Sequence, residues 1–79
     1  MEAFWHTKDG KMIAVTDMDT KHLISAFLLT SKIDRDRYNP EQEYTLPFNA
    51  PEWARLSWKV AASPMYWELF YELRERGKI

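Results

Sequence analysis

The chain has 79 residues, 46% of them hydrophobic, and its 11 Lys and Arg against 12 Asp and Glu leave a formal net charge of −1. That length predicts one domain, residues 1–79, with a small core. The lack of cysteine excludes a disulfide framework and thiolate metal ligation; no apolar run is long enough to span a membrane, and Met1 to His6 carry neither the basic nor the apolar region of a secretory signal, so the expectation is a soluble protein of the cytoplasm.

Residues 4–15 predict a β-hairpin. Phe4-Trp5-His6-Thr7 is short and β-prone, Lys8-Asp9-Gly10-Lys11 carries the Asp-Gly pair that favours positive φ in a tight turn, and Met12-Ile13-Ala14-Val15 returns. A lone hairpin is marginal in water, so it must pack on another element. A helix start follows. Asp19 fits the N-cap, with Met18 at N′ and Leu23 at N4 in the spacing of a hydrophobic staple; a second register puts the cap at Asp17. The helix is expected from about Thr20 to Lys32. Leu23, Ile24, Ala26, Phe27, Leu28 and Leu29 cover more than half its circumference, and only Lys21, Ser25 and Lys32 form a polar stripe. A helix this apolar is expected to be buried on more than one side, which in so short a chain points to a second subunit.

Residues 34–50 hold no helical or strand period. Asp34-Arg35-Asp36-Arg37 alternates in charge, Tyr38-Asn39-Pro40 and Leu46-Pro47-Phe48-Asn49 carry turn signals, and Glu43-Tyr44-Thr45-Leu46 has the length of a short edge strand. So long an irregular segment reads as a functional loop, an arm around a neighbour, or a mobile stretch. Pro51 fits N1 of a short helix ending near Ala61, with Trp53, Leu56, Ser57 and Val60 on one face. Ser63-Pro64 restarts the chain as N-cap and N1 of a last helix, whose stripe is Met65, Tyr66, Leu69, Phe70 and Leu73. Arg74 and Arg76 suit its last turn, and Gly77 suits the residue after it. The fold class expected is α+β: an N-terminal hairpin packed on a central helix, with two C-terminal helices.

The chemistry on offer is sparse. Asp17, Asp19 and His22 lie close in sequence, but Asp19 is explained as a cap, His22 at N3 as its neighbour, and only His6 offers a further ligand, so no metal and no cofactor is expected. A nucleophile elbow and a phosphate-cradling loop are both missing; the two glycines, Gly10 and Gly77, are explained by a turn and a cap. No catalytic residue is named. The short turn at Ala62-Ser63-Pro64 has the layout of a helix-turn-helix, but Glu68, Glu72 and Glu75 on the last helix oppose phosphate contacts, as does the net charge. Twelve aromatics, 15% of the chain, stand out. They fill a small core or line an interface or pocket. Several lie beside cations: Trp5 with Lys8 and Lys11, Trp53 with Arg55, Trp58 with Lys59.

Trp5-x-Thr7-x-Asp9-Gly10-Lys11-x-Ile13, then Asp17-Met18-x-Thr20-x-His22-Leu23-Ile24, then Tyr71-Glu72-Leu73-Arg74-Glu75-Arg76-Gly77 resembles a pattern of small, uncharacterised proteins encoded by bacteriophages. In these a Trp-Thr-x-x-Gly hairpin leads to a Met-x-x-x-His-Leu helix and the chain closes on Glu-Leu-x-x-Arg-Gly. The resemblance touches both ends, leaves residues 34–63 uncovered, and carries over no functional residue. It implies an accessory protein acting inside a host bacterium.

In that context the reading is a non-enzymatic binding protein, a homo-oligomer, acting against host defence. The favoured ligand is an anionic nucleotide-type signal, sequestered by stacking on aromatics and pairing with cations, with Trp5, Lys8, Lys11, Trp53, Arg55 and Trp58 as the ligand-binding set. The alternative is an inhibitor that binds a host protein through an exposed aromatic surface. A metal-dependent hydrolase built on Asp17, Asp19 and His22 stands third.

Overall fold

A computed structural model describes residues 3–79; Met1 and Glu2, the start of the segment expected to carry no secretory signal, lie outside the described residues. Trp5 and Ile13 face each other across an antiparallel pair, β1 (Phe4–His6) and β2 (Met12–Ala14), whose register also joins Phe4 to Ala14 and His6 to Met12. The Thr7 N–H donates to the Lys11 carbonyl at 2.8 Å and the Gly10 N–H to the Thr7 carbonyl at 3.1 Å, closing a three-residue loop. Gly10 takes φ +85°, the left-handed conformation that the Asp-Gly pair predicts and that a Cβ disfavours. Because strand side chains alternate, Trp5 and Ile13 turn together towards the core while Phe4 and Met12 stay exposed.

After a 3-10 turn, Val15–Asp17, the helix α1 spans Thr20–Arg37. Asp19 is its N-cap: the His22 N–H donates to Asp19 Oδ1 at 2.8 Å. The register with a cap at Asp17 is ruled out, since Asp17 closes the preceding turn. Met18 and Leu23, the predicted staple, are both buried in one cluster with Val15, Ala26, Leu69 and Leu73. The helix does not stop at Lys32. Along the sequence Asp34-Arg35-Asp36-Arg37 is only a run of alternating charge, but on a helix Asp34 falls one turn beyond Thr30 and continues the face of Leu23 and Ala26. Thr30 and Asp34 are both buried. Asp34 Oδ2 accepts from the Ser63 N–H at 2.9 Å and the Ser63 hydroxyl at 2.8 Å, so the buried carboxylate is satisfied by the start of the next helix.

The irregular stretch is therefore shorter than 34–50 at its front, beginning at Tyr38, and no strand forms over Glu43–Leu46. Nor does one helix run from Pro51. Two 3-10 turns take its place, Glu52–Leu56 and Trp58–Ala61, with Pro51 as the cap of the first. They are separated by Ser57, which is extended and whose hydroxyl accepts from the Lys59 N–H at 3.3 Å. Leu56, grouped by helical spacing with Trp53, Ser57 and Val60, is 92% exposed.

The last helix, α2, spans Pro64–Glu75 as expected, with Ser63 as N-cap and Pro64 in its first turn. It ends in a Schellman arrangement: the Lys78 N–H donates to the Leu73 carbonyl at 2.9 Å and the Gly77 N–H to the Arg74 carbonyl at 3.0 Å, with Gly77 at φ +74°. Tyr66, Leu69, Phe70 and Leu73 are buried as the stripe predicts, and Trp67 joins them. A second cluster forms around Ala54, Tyr66, Trp67 and Phe70; Phe27 of α1 packs against both clusters and stacks on Tyr66 at 5.1 Å between centroids. The architecture is α+β: a two-stranded hairpin and two α-helices. In the single chain α1 is not covered all round, since Ile24, Leu28 and Leu29 remain exposed.

Candidate functional site: a cleft between hairpin and helix

Where the hairpin lies against α1, a cleft of about 380 Å³ opens. From the hairpin side it is lined by Trp5, His6, Thr7 and Lys8, and from α1 by His22, Ser25, Ala26 and Leu29. The helical residues follow one another at the spacing of a single helix face, so α1 presents an imidazole, a hydroxyl and an apolar floor in one row. The hairpin presents the half-buried indole of Trp5 and, at the start of its loop, the exposed ammonium of Lys8. A cleft with an aromatic wall, an apolar floor and a few polar groups at its mouth has the make-up of a small-ligand site.

The turn beside it is fixed by its own side chains. The Thr7 hydroxyl donates to Asp9 Oδ1 and accepts from the Lys11 N–H at 3.1 Å. That donation holds the Asp9 carboxyl below the usual carboxylate range. Lys11 stands 3.9 Å from Asp9, an exposed pair worth little to stability but one that holds the Lys11 charge on the loop.

The six residues expected to bind ligand divide into two groups. Trp5 and Lys8 share the cleft, and Lys11 sits on the same loop without lining it. Trp53, Arg55 and Trp58 belong to the two 3-10 turns, where the rings have partners of their own. Trp53 meets Phe70 edge-on at 6.0 Å, and Trp58 meets Tyr66 edge-on at 5.3 Å. The cation on Trp53 is Lys59, 4.1 Å from its ring centroid, and the same ammonium lies 5.8 Å from Trp58. Arg55 is exposed. Lys59 thus occupies a face of the Trp53 ring that a base would need for stacking.

Ser25 and Leu29 are lining residues that the sequence does not single out, and His6 and His22 enter there only as candidate metal ligands. The signal was available only in half: His22, Ser25, Ala26 and Leu29 share a helix face, but nothing local says that the hairpin lies over that face. The Asp19 carboxylate is engaged in capping, and among the described residues no group of three or more His, Asp or Glu comes together in a way that could hold a metal ion. No helix among the described residues is long and apolar enough to cross a membrane. No protein-family model matches this chain, and no curated protein or solved structure matches it either.

Proposed function

We propose that the protein is a non-enzymatic binding protein, of the phage accessory kind that the sequence resemblance implies, which sequesters a small anionic ligand of nucleotide type in the cleft between the hairpin and α1. The observation that carries this reading is the meeting of Trp5 and Lys8 with His22 and Ser25 in one cleft. The indole gives a base a stacking surface, and the ammonium gives a phosphate a charge-assisted partner. Action against a host defence signal in the bacterial cytoplasm follows from the resemblance and belongs to the same proposal.

The test is calorimetry against a panel of mononucleotides and cyclic di- and trinucleotides, followed by heat release and chromatography of the bound molecule. The expected result is a dissociation constant below about 10 μM, weakened by salt, with the ligand returned unchanged. Lys8→Ala weakens it by about tenfold, the effect of one charge-assisted contact. A returned product would make the protein an enzyme, and silence across the panel would remove the cleft reading.

A second reading, a host-protein inhibitor, is favoured by a different observation. Phe48 and Leu56 are almost wholly exposed and Trp53 is 46% exposed, apolar groups that a partner protein would cover. The homo-oligomer expected from the sequence belongs here too, through the uncovered Leu28 and Leu29 of α1.

A further inference from the structure

The chain has two histidines, and both line the cleft between the hairpin and α1. They do not line it alike. On β1 His6 alternates with Trp5 and pairs with the exposed Met12 across the strands, so it meets the cleft at its rim. His22 is half-buried in the first turn of α1, one turn before Ser25 and Ala26. Its backbone N–H is engaged by Asp19 at 2.8 Å, but among the described residues its ring makes no hydrogen bond or ion pair. The Lys8 ammonium and the Ser25 hydroxyl have no such partner among them either, and no carboxylate among the described residues lines the cleft. The charged groups on the elements around His22 are Lys8, Asp9 and Lys11 on the hairpin, Asp17 on the 3-10 turn, Asp19 and Lys21 on α1 and, from α2, Arg76, which donates to Thr20 Oγ1 at 3.2 Å. Of these, Asp9 is held by Thr7 and Lys11, Asp19 by the helix it caps, and Arg76 by Glu72 at 2.8 Å. The side chains left unengaged in the cleft are therefore donors and cations.

We infer that His22 makes this cleft proton-gated: an anionic group such as a phosphate is held between the Lys8 ammonium and the His22 imidazolium, so that its capture takes up a proton from solvent at His22. A neutral imidazole keeps one acceptor nitrogen and no charge, whereas the imidazolium is a donor at both nitrogens and adds a charge-assisted bond to the oxyanion. Histidine is the side chain that makes this change between about pH 5 and 8. The coupling is reciprocal: the proton tightens the anion, and the anion tightens the proton by the same factor. Affinity is therefore highest where His22 is charged and falls as pH rises. Stacking on Trp5 involves no titrating group, so the base-dependent share of the affinity stays constant. The inference rests on the nucleotide reading for the class of ligand and not for the coupling itself.

Two probes whose charge is fixed across that window are titrated into the intact protein at constant ionic strength. Cyclic adenosine monophosphate is read by calorimetry, and inorganic sulfate on the two imidazole resonances, of which the one lost in His22→Gln is that of His22. The nucleotide is expected to bind at least fivefold tighter at about pH 5.5 than at about pH 8, and His22→Gln is expected to remove the difference. Saturating sulfate is expected to raise the titration midpoint of the His22 resonance by about 0.5 pH unit or more. If the nucleotide binds equally at the two pH values, or if His22→Gln keeps the difference, the inference is overturned and the cleft reading stands. If the nucleotide fails to bind while sulfate moves the His22 midpoint, the nucleotide reading falls and the proton coupling stands. If neither probe moves that midpoint, the inference is overturned. Should His22→Gln fail to fold, His6→Gln assigns the two resonances by elimination and the midpoint decides.

Discussion

Asp19 and Asp34 show two ways in which a carboxylate can start a helix in this chain. Asp19 caps α1 from the residue before it, by accepting from the His22 N–H at 2.8 Å. Asp34 completes the cap of α2 from 29 residues away: Ser63 accepts from the Tyr66 N–H at 3.4 Å and passes its own hydroxyl proton into a hydrogen bond with Asp34. Asp19→Ala is expected to cost about 0.5–2 kcal/mol in chemical denaturation, the range for loss of an N-cap, and a chelator is expected to leave the wild-type melting temperature unchanged. A drop of several degrees with chelator would restore a metal to the Asp17, Asp19 and His22 segment. Asp34→Ala leaves two donors of Ser63 without an acceptor in a partly buried place and is expected to cost about 1–3 kcal/mol, with Asp34→Asn costing less because an acceptor remains. Tyr66 adds a pH dependence. Burial, and secondly the negative charge of Asp34, push its hydroxyl up from the ordinary 10 to about 12. The fold therefore favours the neutral phenol, so its contribution is intact below about pH 10 and is lost as pH rises from about 10 to 12, by at most about 2–3 kcal/mol. Denaturation midpoints measured across that window are expected to fall in the wild type and to fall less steeply in Tyr66→Phe; equal slopes would show that Tyr66 is not the titrating group. The cap at Asp19 was legible because its partner is three residues away. Asp34 was not, because its partner is on another element and its neighbours Arg35, Asp36 and Arg37 mask it as part of a charged run.

The same contrast between local and distant partners governs the elements. The hairpin, the start of α1 and all of α2 follow from short-range rules: a glycine at positive φ, a cap, a staple, a Pro at the first turn, and a Gly after the last. The end of α1 does not, since the helix continues on buried Thr30 and Asp34, where periodicity in apolar residues gives no signal. The 51–61 stretch fails for another reason. Its apolar spacing fits an α-helix, but Pro51 caps a 3-10 turn and Ser57 caps the next, and tightly wound short turns tolerate the same composition. Half the cleft was legible by the same logic. Trp5 and Lys8 are three residues apart on one hairpin, whereas His22, Ser25 and Leu29 join them only through packing of that hairpin on α1. Gly10 is the element-scale test. Nothing stands within 4 Å of a Cβ built there, so Gly10→Ala meets no clash and its effect comes from φ +85° alone. A loss of about 1–2 kcal/mol is expected, together with weaker nucleotide binding if the proposed function holds, because Lys8 is presented by this loop. A variant destabilised by that amount yet binding as tightly as the parent would separate the loop from the site.

At the scale of the whole molecule the twelve aromatics divide their duties. Phe27, Tyr66, Trp67 and Phe70 form a continuous set of ring contacts at the second cluster, including Tyr66 to Trp67 at 5.0 Å and Trp67 to Phe70 at 5.6 Å. That set fills the interior of a chain too short for a large aliphatic core. Other apolar groups are left outside. On α1 Leu23, Ala26, Thr30 and Asp34 form the buried row, while Leu28 at 61% exposure stands on the far side of the helix and Leu29 at 51% beside the row. Each of these leucines, left a little over half exposed, forgoes roughly half of the about 1.5–3 kcal/mol that full burial supplies, and a small domain has little stability to spare. A second copy laid over these exposed leucines is the proposal that uses this surface. Light scattering at micromolar concentration is then expected to give at least twice the 9.5 kDa chain mass, and Leu28→Lys is expected to return the protein to one chain mass without unfolding it, because the side chain lies outside both buried clusters. A wild-type protein that scatters as a single chain would show that α1 is complete with this surface in water, and the exposed leucines would then be left for the host-protein reading to explain.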